Sequence, residues 1–192
     1  MKKIVDYAYM KSMNVVFLLN MLGTRQSIYV MKNHFNKKKV IGAEIGVLRG
    51  YNTRNILRHL NIDKIYLIDP YMMYEGIDEK QDPKVPHSKA FLYAQKVLKK
   101  YKEKIIWIRK MSSEAINDVP ENLDFVYIDG NHLYDYVLKD LELYYPKVKP
   151  GGVLCGHDFN HPDVARAVAE FSQKKKVSFQ THGYPTDWWI KK

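Results

Sequence analysis

From residue 40 onward the chain alternates short runs of β-branched and aromatic residues with stretches whose apolar side chains recur every three or four positions. The runs predict strands over 40–45, 64–69, 105–108 and 123–129, and a fifth opening at Val153 after the turn Lys149, Pro150, Gly151, Gly152. Helical spacing predicts helices over 53–60, 87–101 and 134–145, and a short helical piece near 113–117. Pro162 marks the first turn of another helix, running to about residue 172. Within 134–145 the apolar positions are Tyr134, Val137, Leu138, Leu141 and Tyr144. Residues 177–180 and 188–190 read as a closing pair of strands.

Strand–helix alternation of this kind buries a mostly parallel sheet between two layers of helices. The fold class expected is therefore α/β, a doubly wound sheet of seven strands. Residues 1–36 carry apolar residues at helical spacing and read as one or two helices forming a lid or cap, with 37–192 as the core of a single domain. Residues 71–86, which carry Gly76, Pro83 and Pro86, are the candidate mobile loop.

Composition narrows this picture only a little. At 192 residues the chain fits one domain with a sizeable core, and 46% hydrophobic with 27% charged residues excludes disordered and fibrous classes. The single cysteine, Cys155, excludes an intrachain disulfide and sits in an apolar run, as a small core residue does. Lys2 and Lys3 before the apolar run 15–19 look like an export signal, but Asp6 and Lys11 interrupt it and no small-residue cleavage site follows. The run is also too short to span a membrane, so a cytoplasmic location without membrane insertion is expected. A net charge of +10 raises nucleic acid, a phosphorylated substrate or a membrane surface as partners. The lysines are scattered, however, at 37–39, 99–104 and 174–176, which reads as a solvated surface.

In an open parallel sheet, ligands bind beyond the carboxyl ends of the strands. The residues there are Glu44, Gly46 and Gly50, then Asp69, then Ser112 and Ser113, then Asp129 with His132, then His157 and Asp158. The first turn, from Glu44 to Thr53, lacks the G-x-G-x-x-G spacing that a pyrophosphate demands. Its glutamate is a poor neighbour for phosphate and a good one for an ammonium or sulfonium cation. Asp69, 19 residues after Gly50, suits the two hydroxyls of a ribose; before Pro70 it also reads as a turn former.

The segment from Asp124 to His132, followed by Tyr134, Asp140, the Lys149–Pro150–Gly151–Gly152 turn and His157–Asp158, resembles the class I S-adenosylmethionine (SAM)-dependent methyltransferases. It is most similar to the small O-methyltransferases of catechol-type and macrolide- or sugar-modifying kinds, and the resemblance covers about 40–159 of the chain. It implies a Rossmann-like core in which Glu44, Gly46 and Gly50 cradle the methionine part of SAM, with Tyr51, Asn52 and Thr53 near its carboxylate. It further implies Asp69 at the ribose and Ser112 and Ser113 at the adenine. In catechol-type relatives, aspartates at the positions of Asp129 and Asp158 bind a divalent metal, and a lysine serves as base where this chain has His132. The catechol-type asparagine directly after the second aspartate is replaced here by Phe159, with Asn160 one position later. Asn160 thus has two readings, as a third metal ligand or as a cap of the following helix.

The activity expected is Mg²⁺-assisted methylation of a small-molecule hydroxyl, on a sugar, phenol or polyketide, with Asp129 and His132 catalytic. Acceptor contacts are expected from Tyr71, Met72, Met73, Tyr74, the N-terminal helices, Trp188 and Trp189; the same residues suit a core or a homodimer surface. Nucleic-acid methylation is the rival reading, and the absence of an Asp/Asn-Pro-Pro-aromatic tetrad at Asp129 counts against it. A non-catalytic SAM-binding module is the other rival.

Overall fold

The computed structural model describes residues 25–76, 87–182 and 186–192. Most of the N-terminal cap and residues 77–86 of the candidate loop lie outside the described residues. In chain order the elements are α1 (Gln26–Phe35), β1 (Val40–Ile45), α2 (Tyr51–His59), β2 (Ile62–Ile68), α3 (His87–Leu98), β3 (Ile105–Ile108), α4 (Ser112–Ala115), β4 (Leu123–Ile128), α5 (Tyr134–Lys147), β5 (Val148–Gly156), α6 (Pro162–Lys175), β6 (Gln180–His182) and β7 (Asp187–Lys191). A 3₁₀ turn, Lys99–Lys104, takes the place of the last part of the helix expected over 87–101. The first strand of the closing pair begins at Gln180, later than the apolar run 177–180 suggested. Val177 and Phe179 instead pack against the core from the preceding loop.

The seven strands lie in the order β3-β2-β1-β4-β5-β7-β6. β1 to β5 are parallel, and β7 and β6 close the sheet antiparallel. The chain reverses direction of growth between β1 and β4, which is where such a sheet opens a crevice at its carboxyl edge.

Alternation along the strands supplies two cores. From β4, Val126 and Ile128 pack with α5 and α6 residues such as Val137, Leu141, Val164 and Phe171. Phe125 and Tyr127 face the other side, with Ile28, Met31, Ile56 and Leu98. All six β4 residues are buried, as expected for a central parallel strand covered on both faces. Cys155 is buried against Met31, and burial pushes its thiol pKa up, so it is a core residue. Trp188 and Trp189, expected as acceptor contacts, also belong to the core: each is buried, donating its indole N–H to the His157 carbonyl and to Gln180 Oε1 respectively. A β-strand here puts both rings against the sheet's own layers, which pure aromatic content did not reveal.

Candidate active site

Strand register brings the chemistry to one edge. Ile45 pairs with both Ile68 and Ile128, Ile68 pairs with Ile108, and Ile128 pairs with Gly156. The next residues, Gly46, Asp69, Asp129 and His157, therefore leave the sheet side by side. The ladder continues through them: Gly46 and Asp129 donate to Ile68 and Ile45 carbonyls, at 2.9 and 2.8 Å.

Gly46 has φ +82°, and a Cβ there would stand 2.0 Å from the Asp129 carbonyl oxygen, so only glycine lets β1 turn this close to β4. The turn is braced by Asp69. Its Oδ2 accepts the Val47 and Leu48 N–H groups at 2.9 and 2.8 Å, and its Oδ1 accepts the Tyr71 N–H at 2.7 Å. Three of the carboxylate's roughly four acceptor positions are thus used, and Oδ1 keeps one.

Glu44 is fully buried on β1 and accepts hydrogen bonds from Asn52 Nδ2, at 3.0 Å, and from the Thr53 hydroxyl. Burial dominates, and its pKa is pushed up to about 7 against those two bonds. Asn52 Oδ1 is buried with no hydrogen-bond partner among the described residues. Gly50, at φ +73°, starts α2 close to Leu98. Tyr51 pairs its hydroxyl with that of Tyr93 at 2.7 Å, and the Arg49 and Arg54 guanidinium groups lie over its ring.

A cleft between the ends of β1 to β4 is lined by Gly46, Leu48, Asp69, Ser112, Asp129 and Asp140, with Met72, Tyr74 and Tyr136. Of the residues expected at the cofactor, Gly46, Asp69, Ser112 and Asp129 line it. Glu44, Asn52 and Thr53 form a hydrogen-bonded group behind the turn, and Ser113 follows Ser112 within α4 without lining the cleft. Met72 and Tyr74 meet the expectation of a cleft wall, whereas Tyr71 is buried in the core.

Beyond Asp129 lies a charged cluster. Asp129, His132 and Asp158 each offer a donor atom, all within 4.8 Å of one another, which is metal-ligand spacing. His132 Nε2 and His157 Nδ1 approach Asp158 Oδ2 at 3.1 and 3.0 Å. Burial alone would raise the Asp158 pKa, but the hydrogen bonds from His132 and His157 outweigh it and hold the carboxyl far below the usual range. The same Asp158 bond raises the His132 pKa, against burial. Asn160 does not join the cluster. Its Oδ1 accepts the Thr186 N–H at 3.2 Å, and His161, not Asn160, is the N-cap of α6.

Three participants carried no functional signal in the sequence. Arg25, at the N-cap of α1, forms an ion pair with Asp129 Oδ2 at 2.7 Å and donates to the Tyr127 hydroxyl at 3.0 Å. Burial works against the guanidinium charge, but Asp129 and Tyr127 hold it. Asp187 accepts the Ser27 N–H and hydroxyl, both at 2.7 Å, and its other oxygen lies 3.7 Å from His157 Nε2. Asp140 accepts the Ser112 hydroxyl at 2.5 Å. Arg25 and Asp129 are 104 positions apart, and no local pattern announces such a contact. Asp140 was detectable, as a carboxylate on the apolar stripe of Val137, Leu141 and Tyr144.

A family model described as "Methyltransferase domain" matches residues 43–159. An uncharacterized protein of Acanthamoeba polyphaga mimivirus is 26% identical over 152 residues, which is 72% of this chain; the chain spans 62% of that relative's length. The fold is shared with the O-methyltransferase NovP, at a TM-score of 0.62 and 16% identity over 86% of this chain and 79% of that one. It is shared as well with an O-methyltransferase from Bacillus cereus in complex with SAH, at a TM-score of 0.61 and 14% identity over 95% and 89% of the two chains. Among the described residues, no helix is long and apolar enough to cross a membrane.

Proposed function

Since the chain belongs to the methyltransferase-domain family, we propose that it methylates a hydroxyl of a small molecule, with SAM in the cleft and a divalent cation at Asp129 and Asp158. One observation carries this reading: Asp129 belongs both to the cleft and to the charged cluster, so a donor bound in one meets an acceptor held at the other.

The residues fit SAM. A buried Asn52 Oδ1 without a partner stands beside the buried Glu44 carboxylate, a pair of acceptors suited to the α-ammonium group. Asp69 Oδ1 retains an acceptor position for a ribose hydroxyl. The turn at Gly46 keeps side chains out of the space above β1. Bound there, SAM supplies an electrophilic methyl carbon on a sulfonium. The cluster fits a divalent cation as well, since two carboxylates and an imidazole are donors such an ion accepts.

The chain's own work is alignment and proton transfer. Asp129 and Asp158 hold the acceptor end of the site, and Arg25 keeps the Asp129 carboxylate aimed. His132 Nε2 takes the hydroxyl proton, and Asp158 steadies the imidazolium that results. A raised pKa suits a group that must keep the proton it has taken.

The test is calorimetric titration with SAM and S-adenosylhomocysteine, with and without Mg²⁺, followed by a screen of hydroxylated acceptors. The reading expects both nucleosides to bind, and turnover to fall on chelation and return with Mg²⁺. Absence of nucleoside binding under every condition would overturn it. Binding with turnover indifferent to chelation would remove the cation alone.

A further inference from the structure

Asp140 is the one carboxylate in the cleft that neither the strand ends nor the transfer chemistry accounts for. It comes from α5, on the stripe that the helix turns toward the sheet, and is 4% exposed. Oδ1 accepts the Ser112 hydroxyl. Oδ2 lies on the Gly130 side, 4.0 Å from where a Cβ on that glycine would stand. No ion pair reaches Asp140 among the described residues, and Lys139, its neighbour along the helix, acts only through space. Burial pushes the Asp140 pKa up to about 7. A brace between the loop after β3 and α5 needs only a neutral partner for Ser112. A carboxylate in that role costs stability without a cation to offset it.

Its place in the cleft suggests what the second oxygen is for. With the ribose at Asp69 and the methyl group beside Asp129, the base falls in the remaining part, lined by Met111, Ser112, Tyr136 and Asp140. The adenine edge carries one strong donor, the exocyclic amine, and a carboxylate oxygen is an acceptor without a competing donor.

Resting on the SAM reading of the cleft, we propose that Asp140 recognises the exocyclic amine of the adenine, with Ser112 holding the carboxylate in place. The residue then sets cofactor specificity while taking no part in methyl transfer. A site built to bond an amine rejects a ligand lacking it, because the buried acceptor is left unpaired.

Calorimetry at pH 8 tests this with S-adenosylhomocysteine and its 6-deamino analogue, in which purine replaces adenine. The wild-type protein is expected to prefer S-adenosylhomocysteine by roughly 10- to 100-fold. Asp140→Ala is expected to bind the two equally, and Asp140→Asn, whose amide oxygen still accepts, to regain part of the preference. A residue that only braces the loop would weaken both ligands alike and leave their ratio unchanged in Asp140→Ala, which overturns the proposal. Equal binding of both ligands by the wild-type protein overturns it too, with no variant needed, and leaves the SAM reading standing. Failure of the wild-type protein to bind either ligand removes the SAM reading and this assignment together.

Discussion

The two halves of the sheet's carboxyl edge use the same residue types to opposite electrostatic ends. On the β1–β3 side, Glu44 and Asp140 are buried among neutral donors, the hydroxyls of Thr53 and Ser112 and the amide of Asn52, and both are pushed up to about 7. On the β4–β5 side, Asp129 meets Arg25 and Asp158 meets two histidines, and Asp158 is driven far down. Burial is common to both halves; the partner decides the sign. A carboxylate held by neutral donors keeps an unspent attraction for ligand ammonium, sulfonium or amine groups. A carboxylate already facing cationic groups stays ionised at any ordinary pH, as a cation site or a proton relay requires. The division matches the proposed division of labour, with nucleoside binding on one side and acceptor activation on the other.

The strongest attempt to break this contrast is Asp129→Asn, which keeps the shape and a hydrogen bond to Arg25 but removes the charge shared by both halves. Turnover is expected to fall by about 10³-fold at saturating SAM, measured by transfer of labelled methyl, with the thermal midpoint checking that the fold survives. A fall under tenfold would remove Asp129 from the transfer step.

Asp69→Ala probes the nucleoside half. Losing the partner of three backbone N–H groups and the ribose acceptor together should weaken S-adenosylhomocysteine about 10- to 100-fold by calorimetry. Unchanged affinity would leave Asp69 as a brace only.

The neutral-donor environment of Glu44 has a pH signature. Its carboxyl is raised from 4.5 to about 7 in the folded protein, so its contribution is full below 4.5 and is lost as pH rises toward 7. The loss amounts to at most about 3 kcal/mol. Denaturant midpoints at pH 5 and pH 8 should therefore differ less in Glu44→Gln than in the wild-type protein. An unchanged difference would mean that Glu44 is ionised throughout.

The smallest effect is expected from Asn160→Ala. Its side chain serves the Thr186 N–H on the exposed surface, so cation affinity and turnover should stay within about twofold of wild type. A larger loss of Mn²⁺ affinity, read by titration, would restore it as a ligand.

Much of the fold was legible because each strand is a short β-branched run and each helix shows its own period. These are local signals, and they survive without knowledge of neighbours. The strand-end rule likewise picked out Gly46, Asp69, Ser112 and Asp129 as cleft residues. Element ends were less legible: the helix over 87–101 yields to a 3₁₀ turn at Lys99, where a lysine-rich stretch leaves no apolar stripe to bury. Trp188 and Trp189 show the ambiguity of aromatic content, which suits a core and a binding wall equally until a strand pairing assigns it.

By itself, the sequence determined the order of elements, the parallel sheet and the family, because hydrophobic period and turn residues act between neighbours in the chain. Tertiary structure alone decided the charge state of the edge. Arg25 reaches Asp129 across 104 positions and Ser27 reaches Asp187 across 160, while Asp140 gains its place from a loop 28 positions away. A pKa depends on burial and on partners within a few ångströms, and those distances exist only once the sheet has brought its strand ends together.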